Sequence, residues 1–160
     1  VLQAEYGFSA LGSGFAFLPW PLITFLPALQ IPKLTKRFNN NRILLIGQIA
    51  LSLGLLWASL SPLELGYVQA VALPMLVIGI GQAMVVAPVT AAGIYQAPDD
   101  LAGSASGLTN AMHQIGGPIG LSVIMAMTSN FYVSLGWMAG FSLVALLIVI
   151  IFIYQFGKNP

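Results

Sequence analysis

Charge is what this chain has least of. Asp, Glu, Lys and Arg make up 6% of its 160 residues, where a soluble domain carries about a quarter. With 58% hydrophobic residues and a mean hydropathy of +0.93, the chain is solvated by lipid. A net charge of +1 leaves no basic field to hold phosphates, so nucleic acid is not expected as a partner. Cysteine is absent, which excludes disulfides and thiolate metal sites. No glycine-rich phosphate loop, paired carboxylates or nucleophile–base pair occurs, so no enzyme, metal or bound cofactor is expected. The first residue is Val1, and no basic stretch with a small-residue cleavage site precedes the first apolar run. A piece of a longer protein is therefore expected.

What is present is a series of apolar runs, each long enough to span a bilayer at about 1.5 Å per residue. The expected fold is an all-α integral membrane protein with five transmembrane helices. Their expected bounds are 9–31, 43–60, 67–95, 101–128 and 135–156. The first contains Pro19, Pro21 and Pro27 and should bend. The third contains Pro74 and Pro88, and its Gly79, Ala83, Ala87 and Ala91 form a small-residue ridge suited to close packing. Short loops force successive helices to alternate in direction. The basic loop with Lys33, Lys36, Arg37 and Arg42 then shares one side with the loop at 96–100 and with Lys158. All five basic residues lie on that side, which the positive-inside rule makes the cytoplasm. The expected location is the cytoplasmic membrane, multi-pass, with the C-terminus and loop 32–42 cytoplasmic.

The fourth expected span is the most polar. It holds the chain's one histidine, and Gly103 and Gly107, like Gly116 and Gly120, are four apart on one face. Asn110, His113 and Gln114 sit at i, i+3 and i+4 and point in neighbouring directions. Pro118 cannot bond the Gln114 carbonyl, so the helix should kink or loosen there. Asp99 or Asp100 is expected to cap its start. No carboxylate lies inside any span, since Glu5, Glu64, Asp99 and Asp100 all fall in loops.

Three stretches carry a family resemblance. They are G-F-S-A-L-G-S-G-F-A-F-L-P at 7–19, P-K-L-T-K-R-F-N-N-N-R at 32–42, and A-P-D-D-L-A-G-S-A-S-G-L-T-N-A-M-H-Q-I-G-G-P-I-G at 97–120. The chain resembles the C-terminal half of a major facilitator superfamily transporter, and most nearly the fourteen-span drug:proton antiporter branch. In the basic loop Leu34, Arg37, Phe38 and Arg42 match the family pattern, while Pro32, Lys36 and Asn39 replace a glycine, an aspartate and a second glycine. His113 stands where the third pattern usually has arginine. The resemblance implies that these are the last five spans of a transporter whose N-terminal half is absent here. The first, third and fourth would line a central cavity, and the second and fifth would face lipid. It further implies proton-coupled export of small amphipathic or cationic compounds by alternating access. The rival readings are an uptake permease of the same fold for a small polar metabolite, and a non-transporting membrane scaffold.

The candidate substrate-pathway residues are Trp20, Gln82, Asn110, His113 and Gln114. A buried imidazole can carry protons at physiological pH, or can sit neutral within the bundle. Amides in hydrocarbon need partners and either bind substrate or join helices. Trp20 can stack on a flat cation or simply pack. Gln82 is expected at about the depth of His113. Gly116, Gly117 and Pro118 are hinge candidates. The expected partners are the lipid bilayer, the missing half of the transporter and a small-molecule substrate, with a proton gradient as the driving force.

Overall fold

The computed structural model describes residues 2–28, 30, 33–34, 37–94 and 97–156. Lys36, Lys158, Pro32 and residues 95–96 lie outside them. The described residues form α1 (Ala10–Phe17), α2 (Pro19–Ala28), α3 (Asn40–Leu60), α4 (Leu73–Ile94), α5 (Ala102–Met127) and α6 (Phe131–Phe156). A short 3₁₀ turn at Leu63–Leu65 and a π-helical turn at Val68–Ala72 lead into α4. The protein is an all-α membrane protein. Among the described residues, three helices are long and apolar enough to cross a membrane: Asn40–Leu60, Val68–Ile94 and Phe131–Gln155.

The other two expected spans differ in kind. The first is divided at Leu18 into α1 and α2. Pro19 has no N–H for the Phe15 carbonyl, and Leu18 bonds that carbonyl instead at 3.2 Å. Ser9 caps α1 by accepting from the Gly12 amide at 3.0 Å. The fourth, α5, has ample length but is diluted by glycine, serine and amide side chains. It runs without a break through Gly116, Gly117 and Pro118. A widened π turn lies ahead of Pro74 and ends with the Leu73 amide bonded to the Val68 carbonyl.

Capping explains the shifted boundaries. Asn39 accepts from the Asn41 amide at 3.1 Å, so α3 begins at Asn40 and Arg42 lies in its first turn, not in the loop. Asn130 accepts from the Tyr132 and Val133 amides at 3.0 and 3.2 Å, so α6 starts at Phe131 rather than Leu135. Neither Asp99 nor Asp100 caps α5. The Leu101 amide bonds the Pro98 carbonyl at 2.9 Å, which closes a turn with the two aspartates at its central positions.

The core centres on α3, packed between α4 and α6. Gly47 and Gly81 let the α3 and α4 backbones approach closely. A Cβ on Gly47 would lie 2.6 Å from Met84 Cβ, and one on Gly81 2.8 Å from the Gly47 carbonyl. Against α6, Gln48 Nε2 donates to the Ser142 carbonyl at 2.9 Å and to Ser142 Oγ at 3.1 Å. Ser52 Oγ joins Ser142 Oγ at 2.8 Å, and all three residues are buried. The second expected span is thus the packing centre and not merely a lipid-facing helix. Its outer stripe of Ile46, Ile49, Leu53, Trp57 and Leu60 is nonetheless exposed, as a lipid face requires.

Contacts along the helices fix their directions. Asn40 reaches the Pro88 carbonyl, Gly47 meets Met84, and Gly54 meets Ile78, so α3 and α4 are antiparallel. Tyr67 reaches the Ala16 carbonyl while Gly79 meets Ile23, so the α1–α2 pair runs parallel to α4. Residues 2–8, 61–67 and 128–132 consequently gather at one end of the bundle. Tyr6 Oη donates to the Leu63 carbonyl and the Leu63 amide donates to Tyr132 Oη, both at 2.8 Å. The rings of Tyr6, Phe8 and Tyr67 pack around this link. Such a collar of aromatic residues suits a membrane–water boundary.

Candidate functional site

The expected site residues are set on three elements. On α5, Ile124 is the one buried residue. Asn110, His113 and Gln114 are all exposed on this chain, and no hydrogen bond joins their side chains to another described residue. Gly103, Gly107, Gly116, Gly117 and Gly120 each have open space where a Cβ would lie. The small-residue face expected to receive another backbone is therefore uncovered by this chain. The close approach on α5 occurs elsewhere, where Gly93 of α4 meets Thr109. Thr109 Oγ1 bonds back to the Ala105 carbonyl at 2.9 Å, so the hydroxyl that lies against Gly93 is already partnered within α5.

That crossing sets the relative depth of the polar side chains. Counting along the two antiparallel helices from Gly93 and Thr109 brings His113 level with Val89. Gln82 then lies about 10 Å further along α4, at 1.5 Å per residue. The expectation that Gln82 and His113 share a depth is not met. Gln82 is half-buried and stands one turn from Gly79. Trp20 lies against that glycine: a Cβ on Gly79 would be 3.2 Å from Trp20 Cδ1. Trp20 therefore packs at the α2–α4 seam, with 36% of its surface still exposed. The ridge expected on α4 is half used, since Gly79 and Ala83 are buried while Ala87 and Ala91 are exposed.

Of the basic group, Lys33, Arg37 and Arg42 are exposed at the end of the bundle opposite the tyrosines. The Arg37 guanidinium lies 5.7 Å from the Phe38 ring centroid. No cluster of three or more His, Cys, Asp or Glu that could hold a metal occurs among the described residues.

Two features were not foreseen from the sequence. One is the buried Gln48–Ser52–Ser142 seam. The i, i+4 spacing of Gln48 and Ser52 was a usable signal for it, but Ser142 lies in an otherwise aliphatic run with nothing to single it out. The other is the tyrosine link. Desolvation at its partly covered site, with Tyr132 and the Glu5 carboxylate nearby, raises the Tyr6 phenol above its usual range.

Geometry of this kind, with alternating helices and a polar face left open on one side, is shared by many membrane bundles. The sequence comparison decides among them, since the pattern of the Major Facilitator Superfamily matches residues 1–121. The chain belongs to the Major Facilitator Superfamily. The matched region takes in α1 to α4 and most of α5, with Asn110, His113, Gln114 and the Gly116–Pro118 segment inside it. Among relatives, this superfamily chain is 32% identical over 130 residues to the cephamycin export protein CmcT of Amycolatopsis lactamdurans. The match covers 81% of this chain and 27% of that protein. It is 30% identical over 141 residues to the uncharacterized MFS-type transporter EfpA of Mycobacterium tuberculosis, covering 87% of this chain and 26% of EfpA. The chain thus spans about a quarter of the length of these curated relatives. No solved structure matches it.

Proposed function

We propose that this chain is part of the C-terminal half of a secondary active exporter that moves small amphipathic or cationic compounds out of the cell in exchange for protons. The observation that carries the reading is the open polar face of α5 in a superfamily member. An imidazole and two amides facing lipid would each be left without partners at a cost of several kcal/mol. The face must therefore meet water or another protein segment, and the absent N-terminal half supplies both around a midplane site. The relative named for cephamycin export supports the outward direction. Trp20 and Gln82, on α2 and α4, would border the same pathway from its other wall. Gly116, Gly117 and Pro118 would serve as the hinge, since nothing in this chain crowds them.

No carboxylate lies within an expected membrane span of this chain, so His113 is its one candidate there for carrying the coupled proton. The positive-inside rule places the exposed Lys33, Arg37 and Arg42 in the cytoplasm, with Lys36 and Lys158 on the same side by sequence, and the tyrosine collar outside. The test is transport by the full-length protein in inverted vesicles, comparing wild type with His113→Ala and His113→Arg. Proton-driven dye uptake should fall at least tenfold in His113→Ala, and the coupled proton movement should vanish with it. Unchanged coupling in both variants would remove His113 from the mechanism.

A further inference from the structure

Tyr67 holds α1 near both of its ends. Its ring lies 5.5 Å from that of Phe8, just ahead of the helix. Its hydroxyl donates to the Ala16 carbonyl at 2.6 Å, in the last turn. No residue of α1 is buried, and among the described residues no other hydrogen bond joins α1 to α4 or to the turns ahead of it. By contrast, α2 packs along α4, with Trp20 and Ile23 against Gly79. The two short helices part at Leu18, and neither Pro19 nor Pro21 has an N–H with which to carry a helix across that point. Thus α1 is a strap, jointed at Leu18–Pro19 and fastened by Tyr67.

The fastening depends on the π turn. Tyr67 has helical backbone angles, and from position 67 to Gly79 is twelve residues. At about 100° per residue, an unbroken α-helix would set the two positions about 120° apart around the axis. One π turn absorbs one residue, and the remaining eleven steps bring them within about 20° of each other. Both then address the α1–α2 pair, as their contacts show. Pro74 donates no hydrogen bond in either register, so the turn has one bond fewer to exchange if it becomes α-helical. Ahead of Tyr67, Gly66 sits at φ 83°, in backbone space that glycine enters freely. Before Gly66 the chain is fixed, because Leu63 bonds both Tyr6 and Tyr132. Tyr67 therefore stands between a glycine pivot and a helical register that can slip.

We infer that Tyr67 is a rotary latch on α1. Slipping of the π turn into α geometry turns the phenol about 100° away from Ala16 and lets α1 swing on the Leu18–Pro19 joint. A cleft of about 490 Å³ lies between the parts that move, with Ser13 and Phe17 of α1 and Val71 of the π turn among its walls. In this arrangement α1 is a movable wall of that cleft. The inference is independent of what the transporter carries and of the direction in which it moves it.

The test is spin-label distance measurement on the full-length protein, freed of other cysteines, in lipid nanodiscs. One pair of labels joins Leu11 of α1 to Leu53 of α3, and a control pair joins Leu22 of α2 to Leu53; all three side chains are exposed. Tyr67→Phe keeps the ring and removes the hydroxyl. It should widen the Leu11–Leu53 distribution about twofold and leave Leu22–Leu53 as in wild type. Pro19→Ala supplies an amide for the Phe15 carbonyl, and adding it to Tyr67→Phe should restore the wild-type width. Insertion and deletion in the π turn should act in opposite senses. One alanine inserted after Gln69 should release α1 as Tyr67→Phe does, whereas deleting Gln69, an exposed residue of the turn, should keep α1 latched with no π turn present. The inference is overturned if Tyr67→Phe leaves the Leu11–Leu53 distribution unchanged or widens both pairs alike. It is equally overturned if Pro19→Ala fails to restore the width, or if insertion and deletion release α1 to the same extent.

Discussion

Gly47 and Gly81 set how closely the two most extensively packed helices approach. A Cβ on Gly81 would lie 2.5 Å from the Leu51 amide nitrogen, and backbone cannot move aside as a side chain can. Gly81→Ala and Gly47→Ala should therefore each cost about 1–3 kcal/mol by overpacking. Gly103→Ala and Gly107→Ala should cost nothing within this half, because open space surrounds both. Thermal unfolding of the tagged full-length protein, followed by fluorescence size exclusion, reads the loss at Gly47 and Gly81, and any loss at Gly103 or Gly107 there reports contact with the rest of the transporter. Tyr6 gives a second test at this scale. Its phenol is raised above the usual range, so the neutral form is the one the fold favours. Its contribution is then fully present below the ordinary phenol pKa and is lost as pH rises through the raised value. An ultraviolet titration of wild type against Tyr6→Phe should show the variant lacking one ionisation above the ordinary phenol range. The close approach at Gly81 was not legible in the sequence. The four-residue ridge through Gly79 drew attention, but Gly81 lies on the face that α3 occupies, and only the partner helix reveals that.

At the scale of elements, apolar runs and proline positions foretold most of the helices. The break at Pro19 followed from a missing donor and was foreseeable as a bend. The ends of α3 and α6 were missed because Asn39 and Asn130 read as loop residues until their side chains are seen to cap. The aspartates before α5 misled for the opposite reason, since an acidic residue near a helix start can equally fill a turn. The packing order was the largest surprise. An aliphatic second span looked like a lipid-facing helix, yet a stripe of Gly47, Gln48, Ser52 and Gly54 makes it the centre of the core. The Gln48–Ser52–Ser142 seam ties α3 to α6 with hydrogen bonds worth about 0.6–2 kcal/mol each in a membrane. Ser142→Ala should lower stability by roughly that amount. Gln48→Met combined with Ser142→Ala should recover part of it, because no buried amide is then left short of a partner. Additive losses in the double variant, read by the same unfolding assay, would show that the seam is not a coupled unit.

For the whole molecule, alternation of the helices is the claim on which the others depend. It was legible from the sequence through the one-sided placement of the basic residues, and the structure gives it independently through the antiparallel α3–α4 contacts and the meeting of three loops at Leu63. What the sequence could not supply was the site's completeness. The polar face of α5 stands open in this chain, and on the proposed function its complement is the other half of the transporter. The most direct test exploits the absence of cysteine from this sequence. Single cysteines at Glu64, Ser129, Asn41 and Asp99 are introduced into a full-length protein freed of other cysteines, then labelled in intact cells with a membrane-impermeant maleimide. Positions 64 and 129 should label from outside, while 41 and 99 should label only after permeabilisation. Labelling of 64 and 129 from opposite sides, or of 99 together with 129, would contradict the account.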